Sequence, residues 1–294
     1  MPPVTAQTPP SPLIVAFQGV HGAYSEEAAR QHFGEDVQTL PCATFDEVFK
    51  AVESRRATYG MQPVENSLAG TVATSYEMFM DYDMRIQAEV ILRVRHALLA
   101  PPGLTLADVK RARSHPQALA QCERYLARRG IEAVTHFDTA GSARDLAAAP
   151  EPNTAAIASK LAGKLYGLNV LDYGIEDQSF NFTRFFVIGI GDPAPQPHVK
   201  HKTSVVFAVR DRPGALYECI GELATRGINM TKLESRPRRN KPWQYYFYMD
   251  FEGHSSDPGP EAALINLLRK AAMLKLLGSY PAAPTDETTP PENA

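Results

Sequence analysis

Between residues 13 and 190 the chain alternates short apolar runs with segments of helical period, and this alternation narrows the possible folds more than any other feature. Residues 13–17, 109–114, 131–137, 155–158 and 185–190 read as buried strands, with 45–52, 116–130 and 159–167 as helices between them. In the first of these helices Thr44 and Glu47 form a capping box, and Phe45, Val48, Phe49 and Val52 mark one apolar face. Strand–helix alternation of this kind argues an α/β fold, in which helices cover the faces of sheets. The longest alternating run is 85–98, where Ile86, Ala88, Val90, Leu92, Val94, His96 and Leu98 share one parity. It predicts a single half-buried strand, long enough to carry the chain from one lobe into another. His96 lies on the apolar side and reads as a satisfied core histidine.

The pattern stops at 191–198, a stiff proline-bearing linker, and begins afresh beyond it. Strands at 203–209, 228–235, 243–252 and 273–277, with helices at 214–226 and 260–272, give a β-α-β-β-α-β order. That is the ferredoxin-like α+β arrangement. The expected domains are therefore 13–191 and 203–280, flanked by Pro/Thr/Ser-rich residues 1–12 and a Pro/Thr/Glu-rich tail from 281, both of disordered composition.

Charge and cysteine content exclude several classes. A net charge of −3 without a Lys/Arg cluster gives no support for nucleic-acid binding. No apolar run spans a membrane, and the first residues lack the basic start and apolar block of a secretory signal. Three widely spaced cysteines (Cys42, Cys122, Cys219) form neither a disulfide framework nor a zinc pattern. The expectation is a reduced, cytoplasmic protein.

Four polar stretches fall where a strand yields to a loop or helix: 18–25, 63–72, 114–117 and 178–184. Taken singly, their Asn, Ser and Thr residues read as caps and turns. The glycine loop 18–25 leaves backbone N–H groups for an anion, or is merely a connection. Taken together, they stand at the strand ends where open α/β sheets bind ligands.

These stretches carry a family resemblance. Thr183-Arg184-Phe185, preceded by Asn181, looks like the signature of prephenate dehydratase. Pro63-Val64-Glu65-Asn66-Ser67, Ser114-His115-Pro116-Gln117 and the loop before Tyr24 resemble its other motifs, in order. Beyond the linker, Asp211-Arg212-Pro213-Gly214-Ala215-Leu216 and Asn229 through Glu234-Ser235-Arg236-Pro237 look like the two signatures of the ACT regulatory domain. The resemblance implies a two-lobed catalytic domain, like the type II periplasmic binding proteins, with its active site between the lobes. It implies a lyase of phenylalanine biosynthesis that takes prephenate to phenylpyruvate, with no metal and no cofactor. Thr183 would be the catalytic hydrogen-bond donor to the departing hydroxyl. Tyr24, Glu65, Asn66, Ser67, Ser114, His115, Gln117, Asn181 and Phe185 would bind substrate. Arg184, one residue on from Thr183, alternates to the other side of the strand and reads as structural. Gly214, Ala215, Leu216, Asn229, Glu234, Ser235 and Arg236 would bind phenylalanine as an allosteric effector. Departures include Val64 where the family commonly has Ile, and Tyr217 where it often has Val. No segment of chorismate-mutase length precedes Leu13, so a monofunctional enzyme is expected. An aromatic strand at 243–251 suggests a sheet in need of cover, hence a homodimer or, as in the family, a homotetramer. The alternatives are arogenate dehydratase and a non-catalytic amino-acid-sensing protein on the same scaffold.

Overall fold

The computed structural model describes residues 12–284 except 194, 195, 197, 239 and 240, and of 241–243 the backbone alone. The terminal stretches of disordered composition fall almost wholly outside these residues, as do part of the linker and the side chain of Trp243. Three sheets organise the rest. The first lobe has β1 (Ile14–Gln18), β2 (Gln38–Cys42), β3 (Tyr59–Asn66), a short β4 (Gly70–Thr71) and β5 (Arg85–Arg93). They are joined by a strand from much later in the chain, β11 (Phe182–Gly189), in the order β2-β1-β3-β11-β5 with β4 on β3. Helices α1 (Tyr24–Phe33), α2 (Phe45–Glu53) and α3 (Ala73–Asp81) cover this sheet. The capping box of α2 forms with a shift. Thr44 accepts from the Glu47 N–H at 3.1 Å, while the Glu47 carboxylate returns to the Ala43 N–H at 2.9 Å.

The second lobe runs β6 (Ala97–Ala100), β7 (Arg111–Ser114), β8 (Glu132–Thr135), β9 (Thr154–Ala158) and β10 (Asn169–Tyr173), ordered β10-β6-β9-β7-β8. Its helices are α4 (Pro116–Ala120), α5 (Glu123–Arg129), α6 (Thr139–Ala148) and α7 (Lys160–Tyr166). The strand expected over 85–98 is thus two strands in two sheets, β5 and β6, parted at Val94–His96. Alternation ends at the break: β5 largely alternates, whereas Ala97–Ala100 is apolar and buried on both faces. The Val94 N–H donates to the Asn181 carbonyl at 2.8 Å and the His96 N–H to Glu176 at 2.9 Å. The outgoing crossover therefore braces the returning one, and the two lobes share a double connection.

The third unit contains β12 (His201–Ala208), α8 (Ala215–Ala224), β13 (Met230–Arg238), β14 (Lys241–Glu252), α9 (Pro258–Lys270) and β15 (Met273–Pro281). Its antiparallel sheet is ordered β13-β14-β12-β15, the ferredoxin-like topology expected. Pro237 is tolerated because β13 is an edge strand, where a missing N–H breaks no ladder. One sheet face, with Val205, Phe207, Met249 and Phe251, packs on α8 and α9. The other does not wait for a second subunit. Val206, Tyr248, Leu277 and Tyr280 merge into one core with Tyr76, Ile86, Phe186 and Ile188 of the first lobe. At Gly278 a Cβ would stand 2.6 Å from the Ile86 carbonyl oxygen, so glycine is needed for β15 to lie against β5. Lys275 reaches across to the carbonyls of Phe79 (2.6 Å) and Tyr82 (2.9 Å), placing a cation at the C-terminal end of α3.

Candidate active site

The lobes enclose a cleft of about 270 Å3, the small end of ligand-binding cavities. Thr183 lies on its wall. β11 begins at Phe182, earlier than the apolar run suggested, so Thr183 sits inside the central strand, paired with Asn66 on β3 and Leu92 on β5. Asn66 is not a helix cap. It ends β3, and its Oδ1 accepts from the N–H groups of Leu68 (3.0 Å) and Ala69 (2.9 Å) in the turn to β4. Those two donors fix which end of the amide is nitrogen. The Asn66 Nδ2 consequently donates to Thr183 Oγ1 at 3.0 Å and to Asn181 Oδ1 at 2.8 Å. With one lone pair of its hydroxyl so engaged, Thr183 keeps its own hydrogen for a group in the cleft.

The sequence-predicted binding residues divide three ways. Tyr24, Asn66, His115, Gln117 and Phe185 line the cleft with Thr183. Three others form the frame behind it. Ser67 donates to the Phe180 carbonyl and accepts from the Phe182 N–H, Ser114 donates to the Ile157 carbonyl, and the fully buried Asn181 joins Asn66 to Gln121. Glu65 faces away from the cleft. Strand alternation puts it opposite Asn66, and it pairs with Lys232 of the ferredoxin-like unit at 3.1 Å. Arg184 is structural, as its parity implies, in a buried ionic cluster with Glu89 and Asp250.

The glycine loop is not an open anion seat. Gly19 N–H is taken by the Cys42 carbonyl, and Gly22 N–H by the buried Glu26 carboxylate at 2.7 Å. Burial works to raise the Glu26 carboxyl pKa, but Gly22, Arg30 and Thr39 donate to it and hold it below the usual value. The second lobe grips the same loop. Ser159 donates to the Gly22 carbonyl and Tyr166 to that of His21, and Gly22 touches Ala162 closely enough to forbid a Cβ. What the loop delivers is the start of α1, where Ala23 supplies no side-chain cap and Tyr24 and Ser25 border the cleft. From the other lobe, Asp138, Thr139 and Ala140 bring the start of α6. Helix N-termini favour anions, and no Lys or Arg lines this cleft. Negative groups would be held there by neutral donors and the uncapped start of α1, since the Asp138 carboxylate already caps α6 by accepting from the Ala140 N–H at 3.2 Å.

Sequence reasoning missed His96, Gln121 and Asp138 as cleft residues. Gln121 sits where the helix expected over 116–130 breaks into α4 and α5, and no glycine or proline announces that break.

The effector residues also divide. Gly214, at φ +78° the N-cap of α8, lines a second cavity of about 380 Å3 with Ala215, Leu216, Tyr217, Tyr245 and Phe247. Ser235 pairs across the sheet with Phe247 beside it. Glu234 and Arg236, of opposite parity, turn toward the first lobe, and Glu234 pairs with Thr71 and Lys232. Asn229 bonds Glu252 at 3.2 Å and does not line this cavity. Among the described residues, no group of three or more His, Cys, Asp or Glu is placed to hold a metal, and no helix is long and apolar enough to cross a membrane.

A two-lobed α/β scaffold with a hydroxyl donor in its cleft, docked on a ferredoxin-like unit with its own cavity, belongs to the class of cleft enzymes with an attached sensing domain. Residues 15–192 match the family model for prephenate dehydratase and residues 203–269 that for the ACT domain. The chain belongs to the prephenate dehydratase family and carries a C-terminal ACT domain. It is 40% identical over 280 residues to the chloroplastic arogenate dehydratase/prephenate dehydratase 2 of Arabidopsis thaliana, covering 92% of this chain and 73% of that one. Among solved structures it resembles the prephenate dehydratase of Arthrobacter aurescens in complex with L-Phe (TM-score 0.85, 32% identity, 96% of this chain and 93% of that one). It also resembles GqqA, described as a quorum-quenching acylase (TM-score 0.86, 40% identity, 92% and 98%).

Proposed function

We propose that this chain converts prephenate to phenylpyruvate and that L-phenylalanine inhibits it through the ACT domain. The observation that carries the reading is Thr183, whose oxygen accepts from Asn66 and whose hydrogen is left for the cleft. In prephenate the ring carboxylate leaves as CO2 while the C4 hydroxyl departs as water, and aromatisation drives both. A threonine is too weak an acid to surrender its proton outright. Thr183 donates a hydrogen bond to the departing oxygen, which leaves as water on taking a proton from solvent, assistance worth about 10²–10⁴ in rate. The start of α1 and the neutral side-chain donors of the cleft receive the carboxylates, and Phe185, Pro63 and Val72 keep the ring dry. Turnover followed as phenylpyruvate absorbance in alkali tests this, and also decides against a purely sensing role if product forms.

A second reading, arogenate as substrate, is favoured by Asp138. It is the one Asp or Glu side chain lining the cleft and offers a counter-charge to the substrate's ammonium. Comparison of kcat/KM for the two substrates ranks them.

Residues 13–191 then act as the catalytic domain and 203–280 as the regulatory one. Within one chain Asn229 lies away from the Gly214 cavity, which supports an effector site completed by a second copy. Tyr217 (76% exposed) and Leu233 (38% exposed) offer apolar surface for it. The expected assembly is a homodimer through the ACT domain, pairing into a tetramer, in the cytoplasm. Light scattering that shows a monomer at micromolar concentration would refute it. Filling Gly214 with a bulky side chain is expected to give an active enzyme indifferent to millimolar phenylalanine.

A further inference from the structure

We propose that His96 is a positioning residue on the cleft floor: it clamps the Gln121 amide, whose direction the Asn66–Asn181 chain fixes, so that its NH2 faces the substrate. A chain of polar contacts crosses the cleft floor, and its sense is fixed at one end. Backbone N–H groups can only donate, so Leu68 and Ala69 make Asn66 Oδ1 the acceptor end of its amide. Asn66 Nδ2 must then donate, and it does so to Asn181 Oδ1 at 2.8 Å. Asn181 Nδ2 in turn donates to Gln121 Oε1 at 3.0 Å.

His96 meets the same Gln121 oxygen through Nε2 at 2.8 Å. An unprotonated Nε2 there would set lone pair against lone pair. The imidazole therefore carries its hydrogen on Nε2, and its Nδ1 accepts from the Tyr24 hydroxyl at 2.7 Å. Of the two neutral tautomers only this one satisfies both ring contacts, and the single Tyr24 hydrogen then goes to Nδ1 at 2.7 Å in preference to the Arg95 carbonyl at 3.1 Å. Its consequence lies at the far side of the Gln121 amide. The Nε2 of Gln121 has no partner among the described hydrogen bonds, and the residue lines the cleft, so two N–H bonds remain for an anionic substrate group. With the opposite tautomer the Gln121 oxygen would meet a lone pair at Nε2 and keep only Asn181 as donor, leaving the amide loosely held.

His96 is only 2% exposed, and it spans the lobes, since Tyr24 belongs to the first and Gln121 to the second. The groups facing it are Tyr24 from α1, Gln121 from the α4–α5 break and Glu176 from the returning crossover. Burial pushes the His96 pKa below its ordinary value, with Gln121 and Glu176 opposing, so the ring stays neutral where exposed histidines titrate.

The substrate half of this inference rests on the proposed function, whereas the tautomer does not, so two measurements separate them. In the intact 15N-labelled protein, two-bond imidazole correlations, with His96 assigned by their loss in His96→Gln, are expected to show a neutral ring protonated on Nε2. A ring protonated on Nδ1, or charged at pH 7, overturns the proposal whether or not prephenate is turned over. In kinetics, His96→Leu removes the donor to Gln121 and is expected to lower kcat/KM by about 10–100-fold, chiefly through KM, the scale of one lost buried hydrogen bond to a charged group. His96→Gln keeps an amide donor near the Nε2 position and is expected to recover most of that loss. Gln121→Ala added to His96→Leu is expected to cost little more, since both remove one interaction. Equal losses in His96→Leu and His96→Gln, or losses that multiply with Gln121→Ala, would show that His96 does not act through Gln121. Should His96→Leu fail to fold, the tautomer measurement and His96→Gln still decide.

Discussion

Thr183 and Arg184 are neighbours on β11, yet their side chains leave opposite faces of the sheet into opposite kinds of network. On the cleft face every contact around Thr183 is neutral: Asn66, Asn181 and Gln121 pass hydrogen bonds between amides, and their sense is fixed by backbone donors. On the other face Arg184 meets Glu89 at 2.5 Å and Asp250 at 2.6 Å, and Lys202 adds a second cation at 2.9 Å from Glu89. Two positive and two negative groups are buried together, with Tyr280 and Ser204 filling remaining sites. The difference reflects what each face must do. A cleft that assists loss of a hydroxyl needs donors of known direction, and amides supply direction without presenting a carboxylate to an anionic substrate. A domain junction needs strength against separation, which a balanced charge cluster supplies once its burial has been compensated. One strand thus ties Thr183 on the cleft wall to the ACT domain through adjacent residues, and a shift of β14 carrying Asp250 would reach Thr183 along a rigid element.

The sharpest way to break the comparison is at Thr183. Thr183→Ala removes a methyl-bearing hydroxyl at a partly buried site and leaves Asn66 its bonds to Asn181 and the Phe182 carbonyl. It is expected to fold normally and to lose about 10²–10⁴ in kcat, with KM little changed, the pattern of an interaction made in the transition state. Thr183→Ser keeps the hydroxyl and is expected to retain most activity. An alanine variant that keeps half the wild-type rate would remove Thr183 from the mechanism.

On the opposite face the expected loss is of stability. Arg184→Met strips the guanidinium from Glu89 and Asp250, and breaking a buried ion pair from one side costs about 3–5 kcal/mol. The melting temperature is expected to fall by many degrees, and the response to phenylalanine to weaken, while kcat/KM of the folded fraction stays within about tenfold of wild type. If the stability loss is absent and catalysis collapses instead, Arg184 belongs to the cleft and the division of faces is wrong.

The same two faces show how far the sequence could be read. Strand–helix alternation located most elements that bury a periodic apolar face, but not β2 (Gln38–Cys42) or β3 (Tyr59–Asn66), whose sequences mix polar residues and proline into the strand. The motif around Thr183 located the cleft, and strand parity placed Arg184 on the far side. Parity was carried too far over 85–98, since the four apolar residues 97–100 belong to a second strand buried on both faces; His96, between the two strands, is both buried and in the cleft. Gln121 was hidden by a helix break that no residue type signals. The uncovered face of the ferredoxin-like sheet was assigned to a second subunit, whereas Tyr248 and Tyr280 pack on Tyr76 and Phe186 of the same chain. Apolar surface on a strand tells that it will be covered, and long-range packing alone decides by what.

Glu65 gives the smallest and most discriminating test. By resemblance it stands in the substrate motif beside Asn66; by geometry its carboxylate lies on the domain face, 3.1 Å from Lys232 and 3.9 Å from Arg184. Its side chain is 37% exposed, so solvent screens the pair and leaves it worth no more than about 1 kcal/mol. Glu65→Gln preserves the shape of the side chain and the ladder between β3 and β11, removing one charge from the domain junction. KM for substrate is expected to stay within about twofold of wild type and the melting temperature to drop by a few degrees at most. Lys232 keeps Glu234 at 3.4 Å as a second partner, which limits the loss further. The phenylalanine concentration for half-inhibition is the quantity expected to move, since Lys232 and Glu234 sit on β13 of the regulatory domain. A tenfold rise in KM with unchanged inhibition would mean that Glu65 turns into the cleft when substrate binds, and that the two faces of the sheet exchange residues during turnover.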